Sequence, residues 1–135
     1  MMEFYLCRGA EKNVEMECEI PETWVDWVAH RSEQVSIHCG PLMDSKVEKE
    51  LNVKEAKPLL KELTSLLASS YNVEKYSYLA TCDQLPTNQA VRDRLINQAI
   101  ERKLARNPNY SATKSLVRIL EKQQMQGGVL LVARD

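Results

Sequence analysis

The chain has 135 residues, 44% of them apolar and 27% charged, with a formal charge of −1. That balance excludes a disordered chain, a coiled coil and a wholesale polycation, and the length supports one domain over residues 1–135 with one core. No apolar run reaches the ~18 residues of a membrane span, and Met1-Met2-Glu3 lacks a basic-then-apolar leader, so a cytoplasmic protein with no membrane partner is expected.

Residues 3–8 are rich in strand formers. Residues 14–20 alternate, with Val14, Met16, Cys18 and Ile20 on one face and Glu15, Glu17 and Glu19 on the other. The intervening Gly9-Ala10-Glu11-Lys12-Asn13 predicts a hairpin, and its glutamates discourage edge-to-edge pairing with another chain. Pro21 ends the second strand, and Thr23 with Asp26 three residues on predicts a capped short helix through about Arg31. Trp24, Trp27 and Val28 share a face of it as core anchors, with Arg31 beside them. Residues 34–39 alternate and predict a third strand, ended by Gly40-Pro41, with His38 and Cys39 on opposite faces. The charged residues 44–51 read as helical.

Residues 55–69 predict a helix. Ala56, Leu59, Leu60, Leu63, Leu66 and Leu67 lie on one arc, Lys57, Lys61 and Ser65 lie opposite, and Pro58 is placed in the first turn. Residues 71–82 favour a strand through Tyr76, Tyr78 and Ala80, and residues 83–87 a loop. Two helices follow at about 88–106 and 111–124, joined by Asn107-Pro108-Asn109. Gly127-Gly128 stops the second, and residues 129–133, apolar on both faces, predict a central buried strand. The sum is an α+β domain: a single mixed or antiparallel sheet of about four to five strands with three to four helices packed on it.

Charge is distributed unevenly. Residues 1–87 carry 9 Lys/Arg and 15 Asp/Glu, a net of −6, whereas residues 88–135 carry 9 and 4, a net of +5. Such asymmetry points to an anionic partner for the basic part, or to attraction between the two halves within the fold or across a dimer. Lys114, Arg118 and Lys122 recur every four residues, opposite the apolar stripe of Ala112, Leu116, Ile119 and Leu120. They form one basic row that only Glu121 is close enough to offset, a seat suited to phosphates. In the preceding helix, Val91, Leu95, Ile96, Ala99, Ile100 and Leu104 spread over more than half the circumference. Arg92 and Lys103 fall inside that arc, and Arg102 and Arg106 border it. A cation over apolar surface snorkels, pairs with a carboxylate or meets an anion. Arg92, Arg102, Arg106, Lys114, Arg118 and Lys122 are therefore the candidate ligand-binding residues. A broadly apolar helix with cationic edges also suits a subunit interface, so a homo-oligomer is expected.

The four cysteines, Cys7, Cys18, Cys39 and Cys82, stand at least eleven residues apart with no C-x-x-C or H-x-x-x-H spacing, which fits reduced thiols and no metal site. Neither a G-x-S-x-G turn nor a phosphate-binding glycine loop occurs, so no catalytic residue and no cofactor is assigned. A nucleophilic cysteine would need His30 or His38 as its base, and Cys82 with His38 is the pair a fold could bring together. Residues 111–121, Ser-Ala-Thr-Lys-Ser-Leu-Val-Arg-Ile-Leu-Glu, followed by Gly127-Gly128-Val129, resemble the recognition helix and first wing strand of winged helix-turn-helix proteins over about a fifth of the chain. That resemblance implies DNA binding. The expected function is thus a small non-catalytic binding or regulatory protein whose basic C-terminal half holds a nucleotide-like ligand or nucleic acid. The alternatives are an interaction or inhibitor module docking an acidic protein surface, and the winged-helix-like DNA binder.

Overall fold

The computed structural model describes residues 2–39 and 48–134. Its sheet is built from β1 (Met2–Arg8), β2 (Asn13–Ile20), β3 (Lys49–Leu51) and β4 (Val129–Arg134), all antiparallel, in the order β2-β1-β4-β3. Its helices are α1 (Glu22–Ala29), α2 (Glu33–Cys39), α3 (Val53–Thr81), α4 (Gln89–Leu104) and α5 (Pro108–Gln126). The α+β class and the single sheet stand, with four strands and five helices among the described residues. No described helix is long and apolar enough to cross a membrane.

The hairpin forms as expected, and residues 129–133 lie in the interior strand β4, between β1 and β3. Alternation along β1 sends Met2, Phe4 and Leu6 to one face of the sheet, where Leu130 and Val132 of β4 join them. Trp24 and Val28 of α1, Leu59 and Leu63 of α3, and Leu116 and Leu120 of α5 close over that face. Each such side chain contributes about 1.5–3 kcal/mol by leaving water. Trp24 adds a polar tie, its indole N–H donating to Thr113 Oγ1 at 2.8 Å while the Thr113 hydroxyl donates to the Asn109 carbonyl at 2.7 Å.

The hairpin carries an irregularity that alters two face assignments. Leu6 pairs with Met16 but Cys7 pairs with Val14, so β2 holds one extra residue at that point, the arrangement of a β-bulge. Val14 thereby moves to the face opposite the helices, beside Cys7, and is 54% exposed. Glu15 turns the other way, to the helix side. Only Met16, Cys18 and Ile20 keep the predicted common face.

Several predicted elements differ. Residues 34–39 form helix α2 rather than a strand, because Val35 and Cys39, one turn apart, both bury completely while Ile37 stays exposed. Ser32 starts it by accepting the Val35 N–H at 3.2 Å, and His38 and Cys39 are consecutive helical residues, not opposite faces of a strand. Residues 71–81 continue α3 instead of forming a strand, and Cys82 is its extended C-cap; Tyr71 and Tyr78 face α4 at helical spacing with no breaker before Cys82. Within 44–51, residues 49–51 are strand β3 rather than helix, and residues 44–47 and Gly40-Pro41 lie outside the described residues. The expected Thr23/Asp26 cap is absent: Pro21 occupies the N-cap position of α1 and the helix ends at Ala29. Pro58 sits in the second turn of α3, whose start is capped by Asn52 and Glu55 in reciprocal hydrogen bonds.

α3 spans 29 residues, about 43 Å at 1.5 Å per residue. Its first half packs on the sheet, and its second half projects beyond and pairs with α4. There Ile96, Ile100, Leu104 and Tyr110 form a second, smaller core with Leu67, Tyr71, Tyr78 and Leu85.

Candidate functional site

The six candidate cations fall on two separate surfaces. On α5, Ala112, Leu116, Ile119 and Leu120 bury as predicted, which turns Lys114, Arg118 and Lys122 outward. The row is not left unneutralised. Lys114 Nζ lies 3.4 Å from Glu101 of α4, and Lys122 Nζ lies 3.7 Å from Glu15 of β2. Glu15 also holds Arg8 at 3.0 Å, and Arg8 donates to Gln126 at 2.8 Å. The β-bulge that re-aims Glu15 is thus what neutralises one end of the row. Arg118 alone of the three is exposed with no carboxylate within ion-pair distance among the described residues. The segment resembling a first wing strand is the interior strand β4.

On α4 the burial pattern is Ile96, Ile100 and Leu104, one side of the helix, set on α3. Lys103 at the edge of that side meets Glu74 of α3 at 2.7 Å, the carboxylate partner its position over apolar surface calls for. Arg92, Leu95, Ala99 and Arg102 follow the 3-4-3 spacing that places residues in one stripe of α4, and Arg106 lies in the turn just past its end. This stripe is turned away from Glu101 and hence from α5. Arg92, Arg102 and Arg106 are exposed and have no ion-pair partner among the described residues. Leu95 is 39% exposed, and beside it lies a cavity of about 240 Å³ lined by Tyr78, Gln84, Leu85, Pro86, Leu95, Gln98, Ala99 and Arg102. The stripe therefore alternates cationic and apolar character over about 15 Å from Arg92 to Arg102.

A third feature escaped the sequence reading. A groove along α3, about 550 Å³, is lined by Arg31, Pro58, Lys61, Glu62, Ser65 and Ser69, and it continues into a further 270 Å³ beside Trp27 and Tyr110. The Arg31 guanidinium stacks over the Trp27 ring at 5.2 Å, a cation–π contact prefigured by their i, i+4 spacing. Glu62 is engaged by the Ser32 hydroxyl at 2.5 Å and the Gln34 N–H at 2.9 Å.

The cysteine chemistry does not assemble within one chain. Cys82 follows the C-terminal end of α3, whereas His38 feels Lys49 and Glu55 at the opposite end, about 40 Å away along the helix. Burial raises the thiols of Cys7 and Cys18 and pushes Cys39 up to about 12, the reverse of a nucleophile's activation. Among the described residues no three His, Cys, Asp or Glu side chains cluster as metal ligands. Comparison of the chain with family models, curated proteins and solved structures found no match.

Proposed function

We propose that the protein is a non-catalytic docking module that receives an acidic, partly apolar protein segment along the outer stripe of α4. The observation that carries this reading is the guanidiniums of Arg92 and Arg102 on α4 and of Arg106 just past its end, which have no ion-pair partner among the described residues and stand beside Leu95 and Ala99. Arginine forks match carboxylates in pairs, and an apolar strip between them offers burial that a phosphate backbone does not use. An acidic protein surface is favoured over nucleic acid because the α5 row, the better phosphate track by spacing, has two of its three cations held by Glu101 and Glu15.

The test is fluorescence anisotropy with a helical peptide carrying Glu and Leu on one face, alongside duplex DNA, single-stranded RNA and ADP. The peptide is expected to bind, and Arg102→Glu with Arg106→Glu to weaken it at least tenfold, about 1.4 kcal/mol. Arg118→Glu is expected to change it less than twofold. Tighter binding of DNA, RNA or ADP, or peptide binding indifferent to the α4 changes, overturns the reading. Salt dependence alone does not discriminate, since every one of these contacts is screened.

A further inference from the structure

The sheet has a second face on which no described helix packs. The pairing register places Val14, Cys7 and Val129 in one row across it, Glu17, Tyr5, Leu131 and Glu50 in the next, and Glu19, Glu3 and Ala133 in the third. The centre is apolar, with Val129, Leu131 and Ala133 half-buried, and the rim is acidic. Glu50 carries Lys12 from the hairpin turn, and Glu3 accepts from the Tyr5 hydroxyl. Glu17 and Glu19 are exposed and have no ion-pair partner among the described residues. An antiparallel sheet can leave one face to water, but such a face is then polar in alternation. Here every described residue that β4 turns to it is apolar.

We infer that this face seats α4 of a second copy of the chain, in a head-to-tail contact. It rests on the reading of α4 as a receiver of acidic, partly apolar surface. The two surfaces are complementary in the same terms: apolar centre with unpaired carboxylates on one, apolar centre with unpaired guanidiniums on the other. Their dimensions agree. β1 is about 24 Å long at 3.4 Å per residue, as is α4 at 1.5 Å. Docking covers the bare sheet with a helix, giving the three-layer arrangement in which both faces of a sheet are buried. The glutamates that keep β2 from pairing edge to edge with another strand act here as the recognition rim. A head-to-tail contact of this kind is heterologous and builds rings or open chains.

Sedimentation equilibrium of the full chain over a concentration series at low and high salt tests this. A mass rising above the 15.5 kDa monomer with concentration, and falling back with salt, is expected. Arg102→Glu with Arg106→Glu, or Glu17→Lys with Glu19→Lys, should each leave a monomer, and an equimolar mixture of the two variants should associate again. All four positions are exposed, and circular dichroism establishes that each variant is folded. A wild-type monomer at the highest concentration, association insensitive to either pair of changes, or a mixture that stays monomeric overturns the inference. The docking reading is separable. A wild-type monomer that binds the acidic peptide through Arg102 and Arg106 refutes self-association alone, whereas an assembling chain whose α4 variants still bind the peptide refutes the docking reading alone.

Discussion

The sheet-side core and the α3–α4 arm are built from the same helix but on different terms. Around the sheet, α3 buries Ala56, Leu59, Leu63 and Leu66 within a cluster drawn from four strands and four helices. In the arm, the fully enclosed residues are Ile96, Ile100, Leu104 and Tyr110, while Val73 and Tyr76 on α3 are 67% and 81% exposed. Apolar burial is the dominant favourable term in folding, so the arm has far less holding it in place. It is the region expected to open first, by a sub-global step that leaves the sheet intact. The cationic stripe lies on this weaker region, which is where binding surfaces are commonly drawn from.

The largest effect should come from the sheet side. Leu116→Ala removes a fully buried side chain and is expected to cost about 3–5 kcal/mol, read as a lowered urea midpoint of the whole transition. Ile100→Ala in the arm should cost about 2 kcal/mol and appear chiefly as faster amide exchange in α4, with the β1 and β4 amides unchanged. Equal and fully cooperative losses from both changes would abolish the distinction between the two regions.

Gln123 marks the boundary on the sheet side. It is fully buried, and its amide N–H groups donate to the Leu51 carbonyl at 3.0 Å and the Gly128 carbonyl at 3.1 Å, tying α5 to the ends of β3 and the entry to β4. Gln123→Leu strands both carbonyls and should cost about 1–3 kcal/mol in the same urea transition. Cys39 provides a pH signature of the same core. Burial holds its thiol neutral up to about pH 12, while the unfolded thiol ionises from about 9.0. Stability from this group is therefore complete below pH 9 and declines by about 1.4 kcal/mol per unit as pH rises above it. Cys39→Val should remove that part of the decline, measured as the difference between the two pH profiles. The smallest effects belong to the exposed pairs: Lys114→Ala and Lys122→Ala should each change stability by less than about 1 kcal/mol, with salt erasing the difference.

The elements visible in the sequence were those whose own residues decide them. The hairpin, the first half of α3, α4, α5 and β4 follow from unbroken periodicity with stops at Gly127 and Pro21. α2 was hidden because six residues satisfy both periods, and the helical choice is stabilised by Ser32 and Glu62, thirty residues apart. The second half of α3 was hidden because Tyr71, Val73, Tyr76 and Tyr78 favour a strand locally, and only α4 packed alongside outweighs that preference. β3 owes its three residues to pairing with β4. For the site, the α4 stripe was legible as spacing, whereas the neutralisation of the α5 row depended on a bulge and a helix–helix contact that no local pattern records.

The span of α3 through both cores makes the arm a lever with its fulcrum at the sheet's edge. From Ser70 to Thr81 is about 17 Å of helix, so a bend of about ten degrees there swings the tip by about 3 Å, more than a hydrogen bond tolerates. Whatever grips α4 also bears on a rod whose other end is embedded beside Leu59 and Leu63.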